Sequence, residues 1–113
     1  MQHALPAMLE LHHQGKISLE KIVEKMCHAP AACYQVSQRG YIREGYAADL
    51  VLVDLNAPWT VDQSNILYKC AWSPFEGQTF RSRITHTVVN GNLAYADGKV
   101  NEEVRGERLG FER

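Results

Sequence analysis

Five histidines and three cysteines are the side chains of this 113-residue sequence with the widest chemical range. Imidazole and thiolate are common zinc ligands, so metal binding is the first chemistry to test. His12 and His13 are adjacent, and on a helix neighbouring side chains diverge by about 100°, which disfavours sharing one ion. Cys27, His28 and Cys33 lie close together, yet their spacing matches none of the usual zinc patterns. The expectation is that no metal site is made within this chain. His12 and His13 then read as solvated helix residues, and Cys27 and Cys33 as small buried apolar groups. Cys70 and His86 could form a thiol–imidazole nucleophile pair, but no local motif surrounds either. Asp49 and Asp54 sit five apart, on opposite faces of a strand. They are expected to accept hydrogen bonds from loop amides at the strand ends. Gly40, Gly45 and Gly77 belong to no phosphate-binding pattern. Trp72, Pro74 and Phe75 could stack on a ligand, although packing against a neighbouring layer is the plainer role. No catalytic, cofactor-binding or metal-binding residue is therefore assigned.

The elements that would position these groups divide into helices first and strands second. Leu5, Met8 and Leu9 recur at helical spacing, Pro6 suits a first turn, and Gly15 closes the helix. Ser18 caps a second helix, with Ile17 and Ile22 placed for a hydrophobic staple. Leu19, Ile22, Val23 and Met26 form one apolar stripe, read as core-facing, with Cys27 at its edge. His28-Ala29-Pro30 is expected to break that helix, with a short new helix over 31–34. After Gly40 the character becomes β. Gly40 and Gly45 flank a short extended piece. Leu50 to Val53 is an apolar run between turn signals, which suits a strand with both faces covered. Trp59-Thr60-Val61 reads as a second strand, 65–78 as a loop, and 81–89 as extended. Asn90-Gly91 is the strongest hairpin signal, and Asp97-Gly98 turns the chain again before Lys99-Val100. The boundary between helices and strands falls near Val36 to Gly40. The charged stretch 101–113 reads as a partly mobile tail. The fold class expected for the chain is α+β, with helices followed by a small antiparallel-rich β lobe.

Composition narrows the function classes. The length suits one modest domain, and 45% apolar residues can build a core. Twelve basic against thirteen acidic residues give a net charge of −1. No basic excess points to nucleic acid or an anionic membrane. No apolar run approaches the roughly 20 residues of a membrane span. The N-terminus lacks the basic and apolar regions of a signal peptide. Three cysteines cannot all pair within one chain, which fits reduced thiols in a cytoplasmic protein.

Four segments, in order, carry a resemblance. They are Leu19 to Tyr34 with its Ala29-Pro30-Ala31 step, Gly40 to Asp54, the run from Tyr68 through Trp72-Ser73-Pro74-Phe75-Glu76-Gly77, and Thr87 to Gly91 with the later Asp97-Gly98 turn. Together with the ending from Gly106 to Arg113, they resemble the C-terminal part of a dihydroorotase, a zinc-dependent cyclic amidohydrolase. The resemblance implies a parent of α/β class, a TIM-barrel hydrolase with a β-sandwich lobe. That hydrolase interconverts dihydroorotate and N-carbamoyl-aspartate in pyrimidine biosynthesis, and zinc is its cofactor. It further implies that residues 1–38 are terminal helices of the (β/α)8 barrel, 39–100 the β-sandwich lobe and 101–113 a C-terminal tail. The family's His-x-His, carboxylated lysine, later histidines and aspartate have no counterpart in this sequence. Relatives often carry asparagine where Ala29 stands. A barrel also needs about 200 residues or more. The expectation is a chain inactive alone, without zinc of its own, whose partners are the missing N-terminal barrel portion and further copies of itself. Hydantoinase, allantoinase or a non-enzymatic β interaction module are the alternatives.

Overall fold

The computed structural model describes residues 2–112. Helix α1 spans Ala4–His13. It ends in a Schellman arrangement, because Gly15 adopts φ +73° and the amides of Gly15 and Lys16 reach back to the carbonyls of His12 and Leu11. A side chain at that φ would be strained, so the glycine sets where α1 stops. Ser18 then caps α2 (Leu19–Val23), its hydroxyl accepting from the Lys21 amide at 3.1 Å.

Helix α2 does not break at His28-Ala29-Pro30, contrary to the sequence reading. It passes through a π-helical turn, Glu24–His28, into α3 (Ala29–Cys33). The Ala29 amide bonds five residues back, to Glu24. This wider register relieves the clash a proline ring makes with the carbonyl four residues before it. The expected apolar stripe is only partly covered. Ile22 is buried and Leu19 half-buried, while Val23 and Met26 are exposed. Cys27 and Cys33 are also exposed rather than buried.

From Gly40 to Gly45 no strand forms: the chain bends at Gly40-Tyr41 and turns at Glu44-Gly45. Gly40 explains why. At φ +85° its backbone lies so close to the preceding helix that an added Cβ would sit 2.4 Å from the Ala31 Cβ. The main sheet has the order β1-β4-β5-β6, all antiparallel, with β1 at Leu50–Asp54, β4 at Arg83–Val89, β5 at Asn92–Ala96 and β6 at Lys99–Val100. Two left-handed pairs, Asn90-Gly91 and Asp97-Gly98, make the connecting hairpins where the sequence placed them. Strands β2 (Trp59–Thr60) and β3 (Thr79–Phe80) form a separate ribbon. Val61 continues it, its amide and carbonyl bonded to Gln78 and Gly77.

Expectation and structure differ most at β1. Instead of having both faces covered, it is an edge strand with Leu50, Val51 and Leu52 exposed at 37%, 45% and 53%. Its apolar composition reflects a need for cover that the described residues do not meet. The tail, expected to be partly mobile, is held near its end. Phe111 bridges Val36, and the amides of Ser37 and Glu112 bond to the carbonyls of Gly110 and Gln35.

Candidate functional site

The densest cluster of chemically capable side chains surrounds His3. This residue precedes α1 and is only 1% exposed. Trp59 of β2, Tyr68 and Phe75 of the long loop, and Phe80 of β3 enclose it, with ring centroids 5.7 to 6.3 Å away. Its Nδ1 lies 2.9 Å from the Ser73 hydroxyl, which accepts from the Phe75 amide at 3.2 Å. The His3 tautomer sets which of the two groups donates. The His3 Nε2 has no hydrogen-bond partner. Burial, aided by the positive N-terminus, holds the His3 pKa below its ordinary value. Gln2 fastens the same loop, donating to the Asn65 carbonyl and accepting from the Leu67 amide.

A neutral imidazole against a serine hydroxyl has the parts of a nucleophile pair. Here both residues are buried, and among the described residues no carboxylate meets the second ring nitrogen. The cluster acts as a clamp between α1 and the 65–82 segment. A parallel contact joins His13 Nε2 to the Ser82 hydroxyl at 2.7 Å, and the Ser82 carbonyl accepts from the Trp59 indole at 2.8 Å. Glu10 completes this seam by accepting from the Arg81 amide and guanidinium. That arginine holds the Glu10 carboxyl below its usual range.

The other candidates disperse. His12 bonds to the Ile17 carbonyl, His13 to Ser82 and His28 to the Gly40 carbonyl, so the adjacent pair is not simply solvated. The Cys70 thiol is directed at the Trp72 carbonyl and His86 at the Thr85 hydroxyl, and no hydrogen bond joins Cys70 to His86. Asp49 and Asp54 accept from the amides of Asn90 and Asn56, as expected of strand-end caps. Asp49 also pairs with Arg39, whose second nitrogen donates to the Asn90 side chain at 2.9 Å. This knot ties the helix exit to the β4–β5 turn. The aromatic loop divides. Phe75 packs on Phe80 with centroids 5.6 Å apart, whereas Trp72 is exposed. Among the described residues, no three His, Cys, Asp or Glu side chains converge as metal ligands would.

Sequence reasoning missed His3 and Arg39. His3 stands before the first periodic residue, where no pattern flags burial. For Arg39 a signal existed, namely an aspartate entering the strand opposite an Asn-Gly turn.

The sequence pattern of the amidohydrolase family matches residues 1–94. The chain belongs to the amidohydrolase family. Among its relatives, a dihydroorotase of Pyrococcus furiosus is 28% identical over 109 residues, covering 96% of this chain and 26% of that protein. A dihydroorotase of Wolbachia sp. subsp. Drosophila simulans is 36% identical over 96 residues, covering 85% of this chain and 22% of the relative. Among solved structures, the L-hydantoinase (dihydropyrimidinase) of Arthrobacter aurescens superposes with a TM-score of 0.74 at 36% identity, covering 86% of this chain and 22% of that one. The amidohydrolase expected from the strand and loop motifs is thus the family found, and this chain spans about a quarter of the length of the relatives it matches. Among the described residues, no helix is long and apolar enough to cross a membrane.

Proposed function

We propose that this chain is the C-terminal supporting portion of a dihydroorotase, the cytoplasmic hydrolase that interconverts dihydroorotate and N-carbamoyl-aspartate in pyrimidine biosynthesis. The observation that carries the reading is a dihydroorotase match along 96% of the chain that takes up only 26% of the relative. The geometry agrees in kind, because the chain's histidines, serines and carboxylates hold its own elements together. Under this reading, residues 1–38 are terminal helices of the (β/α)8 barrel, 39–100 are β-sandwich lobe and 101–113 are tail. Val23 and Met26 of the stripe are exposed, and on this reading barrel elements outside the chain cover them. The catalytic and zinc-binding residues belong to the remaining three quarters of the protein, so this chain alone is inactive. In the whole enzyme its part is to fix the barrel's last helices. The His3–Ser73 clamp and the Arg39–Asp49–Asn90 knot do this by coupling them to the lobe.

The L-hydantoinase likeness favours a second reading, in which the parent opens a different cyclic amide. A graft separates the two. This chain replaces the matching quarter of the Wolbachia dihydroorotase and, separately, of the Arthrobacter hydantoinase. Dihydroorotate hydrolysis returning in the first chimera and no hydantoin hydrolysis in the second is the expected result. The reverse pattern rejects the dihydroorotase reading.

A further inference from the structure

Of the five asparagines in the chain, only Asn90 is followed by glycine. The pair suits a tight turn, and Asn90 and Gly91 close the β4–β5 hairpin with φ of +48° and +80°. A glycine there also lacks the side chain that would hinder its amide nitrogen from attacking the asparagine side chain. We propose that Asn90 is a deamidation site held shut by the Arg39–Asp49–Asn90 knot, and that opening of the knot converts it to aspartate or isoaspartate. The only co-reactant is water. The Gly91 nitrogen loses its proton and bonds to the side-chain carbonyl carbon of Asn90. The bond from that carbon to Nδ2 breaks, and Nδ2 leaves as ammonia with a proton equivalent to the one Gly91 lost. A cyclic imide remains. Water then adds to one of its two carbonyls and opens the ring to aspartate or isoaspartate.

Each group the step requires is tied down. The Gly91 amide donates to the Ala48 carbonyl at 3.0 Å. Swinging that nitrogen onto the Asn90 side chain would break this bond. The Arg39 guanidinium donates to Asn90 Oδ1 at 2.9 Å, which fixes the side-chain amide and identifies its oxygen end. Asp49 accepts from the Asn90 amide at 2.9 Å and pairs with the same Arg39. The leaving nitrogen, Nδ2, is buried without a hydrogen-bond partner, away from the water that must supply its proton. A guanidinium on Oδ1 also draws charge from the carbonyl carbon, which favours attack. Restraint outweighs that pull, because the nucleophile stays bound to Ala48 while the knot is closed. Reaction therefore runs through the opened turn, and its rate follows the population of that local opening. All these groups belong to this chain, so the inference does not depend on the parent's activity. The product alters the hairpin. A carboxylate at position 90 competes with Asp49 for Arg39. Isoaspartate lengthens the backbone of the turn that sets Val89 opposite Asn92.

The test incubates the 113-residue chain and a synthetic peptide of residues 87–95 in the same mildly alkaline buffer. Peptide mapping by mass locates each amide converted to acid, and labelling by an isoaspartate methyltransferase measures the isoaspartate formed. The peptide, which has no knot, is expected to convert at Asn90. The folded chain is expected to convert there about ten-fold more slowly or less, and Arg39→Ala about ten-fold faster than the unaltered chain, as loss of a hydrogen bond to a charged group implies. Arg39→Lys keeps the charge but not the fork that reaches both Asp49 and Asn90, so its rate is expected to fall between. Asn92, in the same hairpin, is expected to stay intact throughout. Circular dichroism checks that each variant is folded. Should Arg39→Ala lose its fold, Asp49→Ala carries the same expectation of faster conversion. Equal rates for the folded chain and the peptide overturn the proposal. So does a well-folded Arg39→Ala or Asp49→Ala that converts no faster than the unaltered chain, or conversion of Asn92 ahead of Asn90.

Discussion

The seam between α1 and the 59–82 segment and the edge strand β1 end up in opposite surroundings, although β1 is the more apolar of the two in sequence. Around His3, residues some 60 to 80 positions apart meet through rings, hydroxyls and a carboxylate, and Phe80, Val61, Ser73 and Ser82 are almost fully enclosed. At β1, leucines and valines of higher hydropathy stay open. The difference shows that burial follows the partners available rather than the hydropathy of the run. The seam finds its partners within these 113 residues, whereas β1 has a partner on one side only.

That contrast is sharpest for core truncation. Phe80→Ala removes the ring that touches His3, Trp59 and Phe75. It is expected to cost about 3–5 kcal/mol in urea unfolding. Leu52→Ala, at the more exposed leucine of β1, is expected to stay within about 0.5 kcal/mol, as exposed sites do. Comparable losses at the two positions would break the comparison. Gly40→Ala should fall between them, at about 1–3 kcal/mol, because it sets a methyl against Ala31 and strains a left-handed backbone.

Acid should also find the seam first. The folded His3 pKa lies below its ordinary value of about 6.5. Below that pH the unfolded chain takes up a proton that the folded one resists. Stability is therefore full above about pH 6.5 and falls as the pH drops toward the folded pKa. Glu10, whose folded pKa is depressed by Arg81, adds a separate loss in the carboxylate range, as pH falls through its folded value. His3→Gln is expected to flatten the first fall and leave the second, as followed by urea midpoints from pH 7 to 4. A local effect is expected at an exposed cap. Ser18→Ala should cost about 1 kcal/mol, confined to α2 and visible as faster amide exchange there.

Legibility in the sequence followed the range of the interaction. The Asn90-Gly91 and Asp97-Gly98 turns, the Ser18 cap and the Gly15 stop are set by one or two residues' own φ/ψ and hydrogen bonds, and each was readable. The π turn before Pro30 was not, because a proline's local rule gives a break while the wider register that absorbs it is chosen by the whole helix. The pairing of Thr79–Phe80 with Trp59–Thr60 and the burial of His3 depend on contacts across the chain, which no local pattern encodes. Leu50–Val53 is the strand its run predicts, but Leu50, Val51 and Leu52 are exposed. The composition reports what the strand needs, and the described residues do not supply it. Of the candidate site, the separation of the two aspartates was legible from spacing and the want of a motif around Cys70 and His86 from their neighbours, whereas the His3–Ser73 contact was not legible.

The central claim is that the polar chemistry of this chain serves to hold its own elements in place. It is tested most directly by incubating the purified 113-residue protein, supplied with zinc, with dihydroorotate and with hydantoin and following ring opening. No turnover above the uncatalysed rate is predicted, and hydrolysis of either ring that scales with protein concentration would contradict the account.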